Sequence, residues 1–430
     1  MTLRNDKYRD RLLDGNLKKH LRAFGAVEIV GSMWCGKTWM AEAHGESKVN
    51  LSNSGVRTLI EADHSLAFAG ERPHIIDEWQ EVPALWDEVR LAVDAAAGER
   101  GLFILTGSST PNKEETTHSG TGRISRIRLR PMSLYETGNS DGTVSLSGLF
   151  NGEFKTARVQ TDLRRIAELI CTGGWPGAID LNTDAAELIP NQYLDTLISS
   201  IGDKNGANEY KLRRLLISLA RNMGQAATYH TIASDIVEGD IDSKSEIASR
   251  YTIEKLINIF KDRFIIEDMC GWDAPIRSKS RVRVAPKRCF VDPSLPAALL
   301  GAGKDRLLED GQLFGRLFEE LCLRELRIYA SCMDYALPDA VKYYRDADNL
   351  EVDAIIELRD GRWAAIEIKL GENKVAEGIQ SLLRLKNKVA SNPLARCPEP
   401  AFMAVLVGNA EFCRKTPEGV YVFPCTSLTA

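Results

Sequence analysis

A chain of 430 residues is too long for one ordinary core, and at roughly 100–200 residues per domain it implies two to four domains. Hydrophobic residues make up 44% and charged residues 27%, a globular balance that excludes large-scale disorder. The formal net charge of -5 excludes a uniformly basic nucleic-acid coat, while leaving room for a local basic face.

Nine cysteines, scattered and without a C-x-x-C pair, suit reduced thiols better than a disulfide frame or a zinc site. All six histidines lie at or before His230, so the C-terminal half offers no histidine-based metal site. The first residues are polar, and no apolar run approaches the ~18–20 residues of a membrane span. A cytoplasmic protein is the expectation.

In chain order, residues 8–24 carry Leu12, Leu13, Leu17, Leu21 and Phe24 near one face of a helix. An apolar run at 26–30 precedes a glycine-bounded loop and a helix from Lys37. Strand-like segments recur at 49–51, 74–76 and 102–105, with helical patterns such as 84–97 between them. Strands alternating with helices predict an α/β fold with a parallel sheet covered on both faces. The polar stretch 111–122 reads as a mobile loop beside the site, and 163–198 as a helical lid broken at Gly173-Gly174-Trp175-Pro176-Gly177.

From Tyr210 the pattern changes. Leu212, Leu215, Leu216 and Leu219 form a helical core stripe, and further helices are expected at 229–237 and 249–262. Strands at 264–269 and 281–284 would follow, and three helices with a two-stranded ribbon is the order of a winged helix-turn-helix. The last ~120 residues read as another α/β unit.

Gly31-Ser32-Met33-Trp34-Cys35-Gly36-Lys37-Thr38 fits G-x-x-x-x-G-K-[ST] between a predicted strand and a predicted helix. Its backbone N–H groups would face a triphosphate at a helix N-terminus, Lys37 would reach the β- and γ-phosphates, and Thr38 would coordinate Mg²⁺. Gly31 through Thr38, with Trp39, form the expected ATP-binding set. The strand His74-Ile75-Ile76 ends in Asp77-Glu78; Asp77 would hold the Mg²⁺ shell and Glu78 would orient or deprotonate the attacking water. Thr106 or Ser108, after the strand from Leu102, could sense the γ-phosphate or position the water. Arg123 or Arg126 could act as an arginine finger.

On these residues the chain resembles prokaryotic AAA+ ATPases that carry a C-terminal domain of unknown function related to PD-(D/E)XK nucleases. The resemblance rests on Trp34-Cys35-Gly36-Lys37-Thr38, Asp77-Glu78-Trp79-Gln80, Leu105-Thr106-Gly107-Ser108, Gly122-Arg123, Arg130-Pro131-Met132-Ser133-Leu134, Gly173-Gly174-Trp175-Pro176 and Asp292-Pro293-Ser294. It covers essentially the whole chain, with Ser32-Met33 where Pro-Lys is usual. It implies a P-loop AAA+ core at 1–140, a helical lid at 141–205, a winged helix at 206–300 and a restriction-endonuclease-like α/β domain at 301–430. Oligomerisation is a further implication. The Gly-Gly-Trp-Pro turn reads as a structural bend.

In the C-terminal part, a strand at 350–356 turns at Arg359-Asp360-Gly361 into a strand at 363–369. Period two puts Glu367 and Lys369 on one face, with Asp353 within reach across the hairpin. Asp353 and Glu367 could supply hard oxygen ligands to Mg²⁺, and Lys369 could stabilise developing phosphate charge. Glu319 or Glu320 on the helix 314–329 could add an acid, and Gln380 a contact. Charged residues alternating on a half-exposed strand would look the same, so cleavage is left open.

Arg277, Lys279, Arg281 and Arg283, with Lys287 and Arg288, form a dense basic stretch where the wing should lie, and Ser245, Ser249, Arg250 and Tyr251 are candidates for a recognition helix. The sequence therefore predicts a Mg²⁺-dependent ATPase associated with duplex DNA, in a DNA-processing or defence role. The alternatives are a nucleotide-gated assembly switch with a protein-binding C-terminal scaffold, and an ATP-regulated endonuclease.

Overall fold

The computed structural model describes residues 3–108, 120–205, 208–237, 250–275, 277–278, 281 and 284–430. The chain divides into two compact units: residues up to Met132 with Phe260–Ile265, and Ser133–Ile259 with Ile266–Ala430.

The first unit is built on a five-stranded parallel sheet. Its strands are β1 (Ala26–Val30), β2 (Ser47–Asn50), β3 (His74–Asp77), β4 (Phe103–Gly107) and β5 (Ile124–Arg128), in the order β2-β3-β4-β1-β5. Every residue of β1, β3 and β4 is buried, which explains their near-continuous apolar runs: a parallel strand covered on both faces has no solvent side to mark with alternation. Helices α1 (Asp14–Ala23), α2 (Lys37–Glu42), α3 (Ser54–Ala62) and α4 (Leu85–Ala95) cover it. On α4, Leu85, Trp86, Val89 and Val93 form the buried stripe, and Trp86 stacks on Trp79 at 4.8 Å between ring centroids. The register aligns Val30 with Gly107 and Asp77 with Thr106, so the P-loop, Asp77 and Thr106 all emerge at the C-terminal edge of the sheet. That edge is where open parallel sheets bind ligands.

The second unit contains β6 (Val144–Ser145), α5 (Leu146–Phe150), β7 (Ala157–Arg158), α6 (Leu163–Thr172), α7 (Thr183–Ala186), α8 (Leu188–Asn205), α9 (Glu209–Arg221), α10 (Tyr229–Val237) and most of α11 (Arg250–Asp262). A two-stranded antiparallel ribbon follows, β8 (Ile266–Met269) with β9 (Lys287–Phe290). Beyond it lie β10 (Ala336–Arg345), β11 (Glu351–Leu358), β12 (Trp363–Lys369), β13 (Phe402–Val407), β14 (Phe412–Lys415), β15 (Tyr421–Pro424) and β16 (Leu428–Thr429). Of these, β10 to β15 join β7 in a mixed sheet of order β10-β11-β12-β13-β15-β14-β7. The helices Gly311–Cys332 and Val375–Ala390 pack against it, and Val352, Ile355, Leu382, Leu385, Met403 and Val405 belong to its core.

One expectation is corrected here. The stretch opening the expected lid is not helical throughout: β7 joins the C-terminal sheet through β14, and β6 pairs with β16. These extended segments supply edge pairing that the C-terminal strands would otherwise lack, a long-range demand invisible to local periodicity. The ribbon's second strand is Lys287–Phe290, whose Cys289 and Phe290 enter the core, and of the strand expected at 281–284 residues 282 and 283 lie outside the described residues. Of the four expected divisions, the last three fall largely within the second unit.

Candidate active site in the P-loop unit

β1 ends at Val30, and the chain turns through the P-loop into α2, whose N-cap Gly36 has φ 98°. That left-handed conformation suits glycine and lets successive N–H groups turn toward one point. Lys37 is buried, and its ammonium donates to the carbonyl oxygens of Gly31 (3.1 Å) and Ser32 (2.9 Å). Among the described residues, the buried Ser32 hydroxyl has no hydrogen-bond partner, and Trp34 and Trp39 are exposed on either side of the Lys37–Thr38 pair. Cys35 is buried and Met33 half-buried, so in this loop the exposed aromatic rings are those of the two tryptophans.

Thr38 Oγ1 donates to Asp77 Oδ1 at 2.9 Å, bringing a hydroxyl and a carboxylate together as hard oxygen donors. This pair fits a magnesium ion, which would polarise a bound phosphate oxygen. Asp77 Oδ1 also accepts from Thr106 Oγ1 at 2.5 Å, and its Oδ2 pairs with Lys48 Nζ at 2.9 Å. Burial alone would lower the Lys48 ammonium, but hydrogen bonds to Asp77 and Glu42 outweigh it and hold its pKa above the ordinary value. Lys48 was not singled out from the sequence, since a lysine on a short edge strand carries no motif.

Glu78 has φ 56°, a conformation uncommon for a residue with a side chain. The turn is fixed by its N–H, which donates to Thr106 Oγ1 at 3.1 Å, and its carboxylate accepts from Ser108 Oγ (3.2 Å) and from Gln80. The two hydroxyls therefore divide the work. Thr106, fully buried, fixes Asp77 and the Glu78 backbone, whereas Ser108 touches the Glu78 carboxylate itself.

Beneath the site, Glu28 in the middle of β1 is fully buried and accepts from Trp79 Nε1 (3.1 Å) and Arg126 Nε (2.7 Å). Arg126 is thus paired with a buried carboxylate of its own sheet, and 49% of its side-chain surface stays exposed. Arg123 pairs with Asp94 at 2.8 Å and keeps about half its side-chain surface exposed, at 47%. The expected mobile loop lies outside the described residues over 109–119.

Residues 24–138 match the family model of the AAA domain. That match supports an AAA-type ATPase. Residues 163–306 match a domain of unknown function (DUF8612), and residues 314–428 match another (DUF4143). The uncharacterized protein Rv2008c of Mycobacterium tuberculosis is 23% identical over 360 residues, covering 82% of this chain and 72% of its own. The uncharacterized protein Mb2031c of Mycobacterium bovis matches to the same extent. Among solved structures, the Walker-type ATPase paby2304 of Pyrococcus abyssi superposes with a TM-score of 0.44 at 11% identity, over 70% of this chain and 98% of that one. The ORC1 protein of Aeropyrum pernix in complex with DNA gives a TM-score of 0.30 at 14% identity, over 70% and 95%. Among the described residues, no helix is long and apolar enough to cross a membrane.

Outside the AAA domain, the hairpin register that pairs Ala354 with Ile366 brings Asp353 level with Glu367. Lys369 Nζ lies 2.5 Å from Glu367 Oε2 and 3.7 Å from Asp353 Oδ2, and Asp353 also accepts the Ile368 N–H at 2.8 Å. Burial, then the neighbouring Asp353 charge, pushes the Glu367 carboxyl well above the carboxylate range. Of the two helix acids, Glu319 joins this cluster and Glu320 does not. Glu320 is buried the other way, accepting the Phe290 N–H at 3.2 Å near Arg327. Gln380 is exposed, and its helix presents Gly378 to Glu367 instead. Among the described residues, no three His, Cys, Asp or Glu side chains are arranged to hold a metal ion, so the hairpin acids as placed do not fit one.

The basic stretch is also redistributed. Arg281 makes a bidentate pair with Glu357, with both bonds at 2.8 Å, and Lys287 is buried against Glu351. Arg288 is buried, donates to the Ala227 carbonyl at 2.7 Å and stacks on Tyr229. These three cations are spent inside the protein, which corrects their reading as phosphate contacts. The sequence shows the cations of this stretch but not their partners, which lie far along the chain: Glu357 for Arg281, Glu351 for Lys287 and the Ala227 carbonyl for Arg288. Arg277 and Tyr251 are exposed. Lys279, Arg283, Ser245 and Ser249 lie outside the described residues, as does the side chain of Arg250.

Proposed function

We propose that this protein is a Mg²⁺-dependent ATPase whose turnover is carried out at the C-terminal edge of the β2-β3-β4-β1-β5 sheet. In this reading the backbone of residues 31–39 cradles the triphosphate, and Lys37 exchanges its loop carbonyls for phosphate oxygens. Thr38 and Asp77 hold the magnesium ion, and Glu78 takes the proton of the attacking water while Ser108 fixes its carboxylate. Thr106 positions both acids, and Arg123 is the finger candidate, acting within the subunit or on a neighbouring copy. The observation that carries the reading is the contact of Thr38 with Asp77 beside Glu78 held by Ser108, all at one sheet edge.

Two couplings of hydrolysis are compatible with this core. The first is association with duplex DNA in a processing or defence role, through the α9–α11 and ribbon region, where Arg277 and Tyr251 remain exposed. The second is a nucleotide-gated assembly switch with the C-terminal domain as a protein-binding scaffold. The internal pairing of Arg281, Lys287 and Arg288 favours the second.

ATP turnover by wild type and Glu78→Gln, with and without duplex DNA, separates them when particle mass is followed by light scattering with and without ATP. Turnover that needs Glu78 and ignores DNA, with mass that changes on ATP binding, supports the switch. Acceleration by DNA, lost with Arg277→Glu, supports the DNA-coupled reading. Turnover unchanged in Glu78→Gln sinks the assigned site itself.

A further inference from the structure

The acid cluster of the C-terminal hairpin has a resident that its motif does not contain. Lys287 comes from β9 in the ribbon, not from the hairpin, and is only 2% exposed. Its ammonium lies 2.6 Å from Glu351 Oε1 and 3.5 Å from Glu319 Oε1, and 5.1 Å from the centre of the Tyr343 ring. Burial alone would lower its pKa, but the charges of Glu319, Glu351 and Asp353 outweigh burial and hold it above the ordinary lysine value. Lys369 holds the other flank through Glu367 and Asp353. Two ammonium groups therefore take up the negative charge of four carboxyl groups. Burial and the Asp353 charge push Glu319 up to about 8, which reduces that negative charge further.

A divalent ion needs something different from the same acids. Magnesium demands near-octahedral oxygens at about 2.0–2.1 Å, and calcium six to eight oxygens at about 2.3–2.6 Å. Here the lone pairs are spent on lysine N–H groups and on the Ile368 N–H, and an ion entering would face two fixed positive charges.

We propose that Lys287 is a tethered cation standing where a metal would have to sit, binding the β8–β9 ribbon to the C-terminal acids so that the constellation is a latch and not a phosphodiester-cleaving centre. The latch is independent of the P-loop chemistry, because it involves none of the ATPase residues. It also explains why a lysine within a dense basic stretch is buried while the stretch as a whole looks like a nucleic-acid contact.

Mn²⁺ binding to the full chain, counted by electron paramagnetic resonance without nucleotide, tests the proposal. Wild type and Asp353→Asn are expected to bind the same amount. Lys287→Met should gain about one equivalent that Lys287→Met/Asp353→Asn loses again, and Lys287→Arg should gain none. An Asp353-dependent ion in wild type overturns the proposal, as does a folded Lys287→Met that takes up no additional ion. Should Lys287→Met fail to fold, acetylation of Lys287 by acetic anhydride, read by peptide mass, decides instead. Wild-type Lys287 should be protected, and Glu351→Gln should expose it at least tenfold faster. Equal rates in the two proteins overturn the latch.

Discussion

Lys37 and Lys287 are buried to nearly the same degree, 5% and 2% exposed, yet they are prepared for opposite fates. Among the described residues, Lys37 hydrogen-bonds to neutral carbonyl oxygens of its own loop, so a phosphate offers it a better partner than these. Lys287 faces carboxylates, so any incoming ligand must compete with charges already in place. Burial of a cation does not mark a site. What marks it is whether the partners are weaker than the ligand.

The sharpest way to break this comparison is to remove each ammonium while keeping its volume. Lys287→Met should cost about 3–5 kcal/mol of stability, because it leaves acids partly buried without their counter-ion. Denaturant melts of the second unit would show it, and a loss under about 1 kcal/mol would mean the carboxyls are already neutral. Lys37→Met should move stability by less than about 1 kcal/mol, since only neutral hydrogen bonds are lost. It should instead lower ATP turnover by about 10²–10³-fold, as removing a donor to developing phosphate charge does. A Lys37→Met protein that unfolds would show the loop carbonyls to be structural partners after all.

How far the sequence could be read follows the same division. The P-loop and Asp77-Glu78 were legible because their chemistry is local: consecutive N–H groups and adjacent acids at a strand end. Asp353, Glu367 and Lys369 lie together in the structure, and period two with a hairpin turn is a local pattern that a sequence displays. What escaped were partners supplied from far along the chain. Lys287 reaches Glu351 across 64 positions of sequence, and Arg126 reaches Glu28 across 98. The Gly173-Gly174-Trp175-Pro176 turn shows the intermediate case. Its bend was legible, but its partners were not: Gly174 N–H donates to Asp292, which Arg324 also holds at 2.6 Å, and Glu325 beside it accepts the Leu134 N–H. Gly173, at φ 71°, has no room for a side chain, since a Cβ there would stand 2.4 Å from Asp292 Oδ1.

The two units should also respond oppositely to pH. In the first, burial and then the Arg72 charge lower His74 from 6.5 to about 4. A depressed base contributes stability above its unfolded pKa that is lost as pH falls from 6.5 toward about 4, here about 3 kcal/mol at most. In the second, Glu319 is raised from 4.5 to about 8, so its contribution is present in acid and lost as pH rises through that interval. Unit-resolved melting between pH 4 and 8 should therefore show the slopes diverging. His74→Phe should flatten the acid limb and Glu319→Gln the alkaline one. Parallel slopes in both variants would refute the assignment.

The smallest expected effect distinguishes the two hydroxyls after β4. Thr106 is fully buried and holds both Asp77 and the Glu78 N–H, so Thr106→Val leaves a carboxylate oxygen and an N–H short of a partner and should impair folding and turnover together. Among the described residues, the Ser108 hydroxyl donates to the Glu78 carboxylate at 3.2 Å, alongside Gln80. Ser108→Ala should leave the melting temperature within about 2 °C of wild type while lowering kcat about tenfold, since one oriented hydrogen bond at the base is worth about 1–1.5 kcal/mol. Nucleotide affinity should be unchanged, because Ser108 supports the base and not the phosphate cradle. A raised KM with unchanged kcat would instead place Ser108 against the γ-phosphate, and the division of labour between the two hydroxyls would have to be reversed.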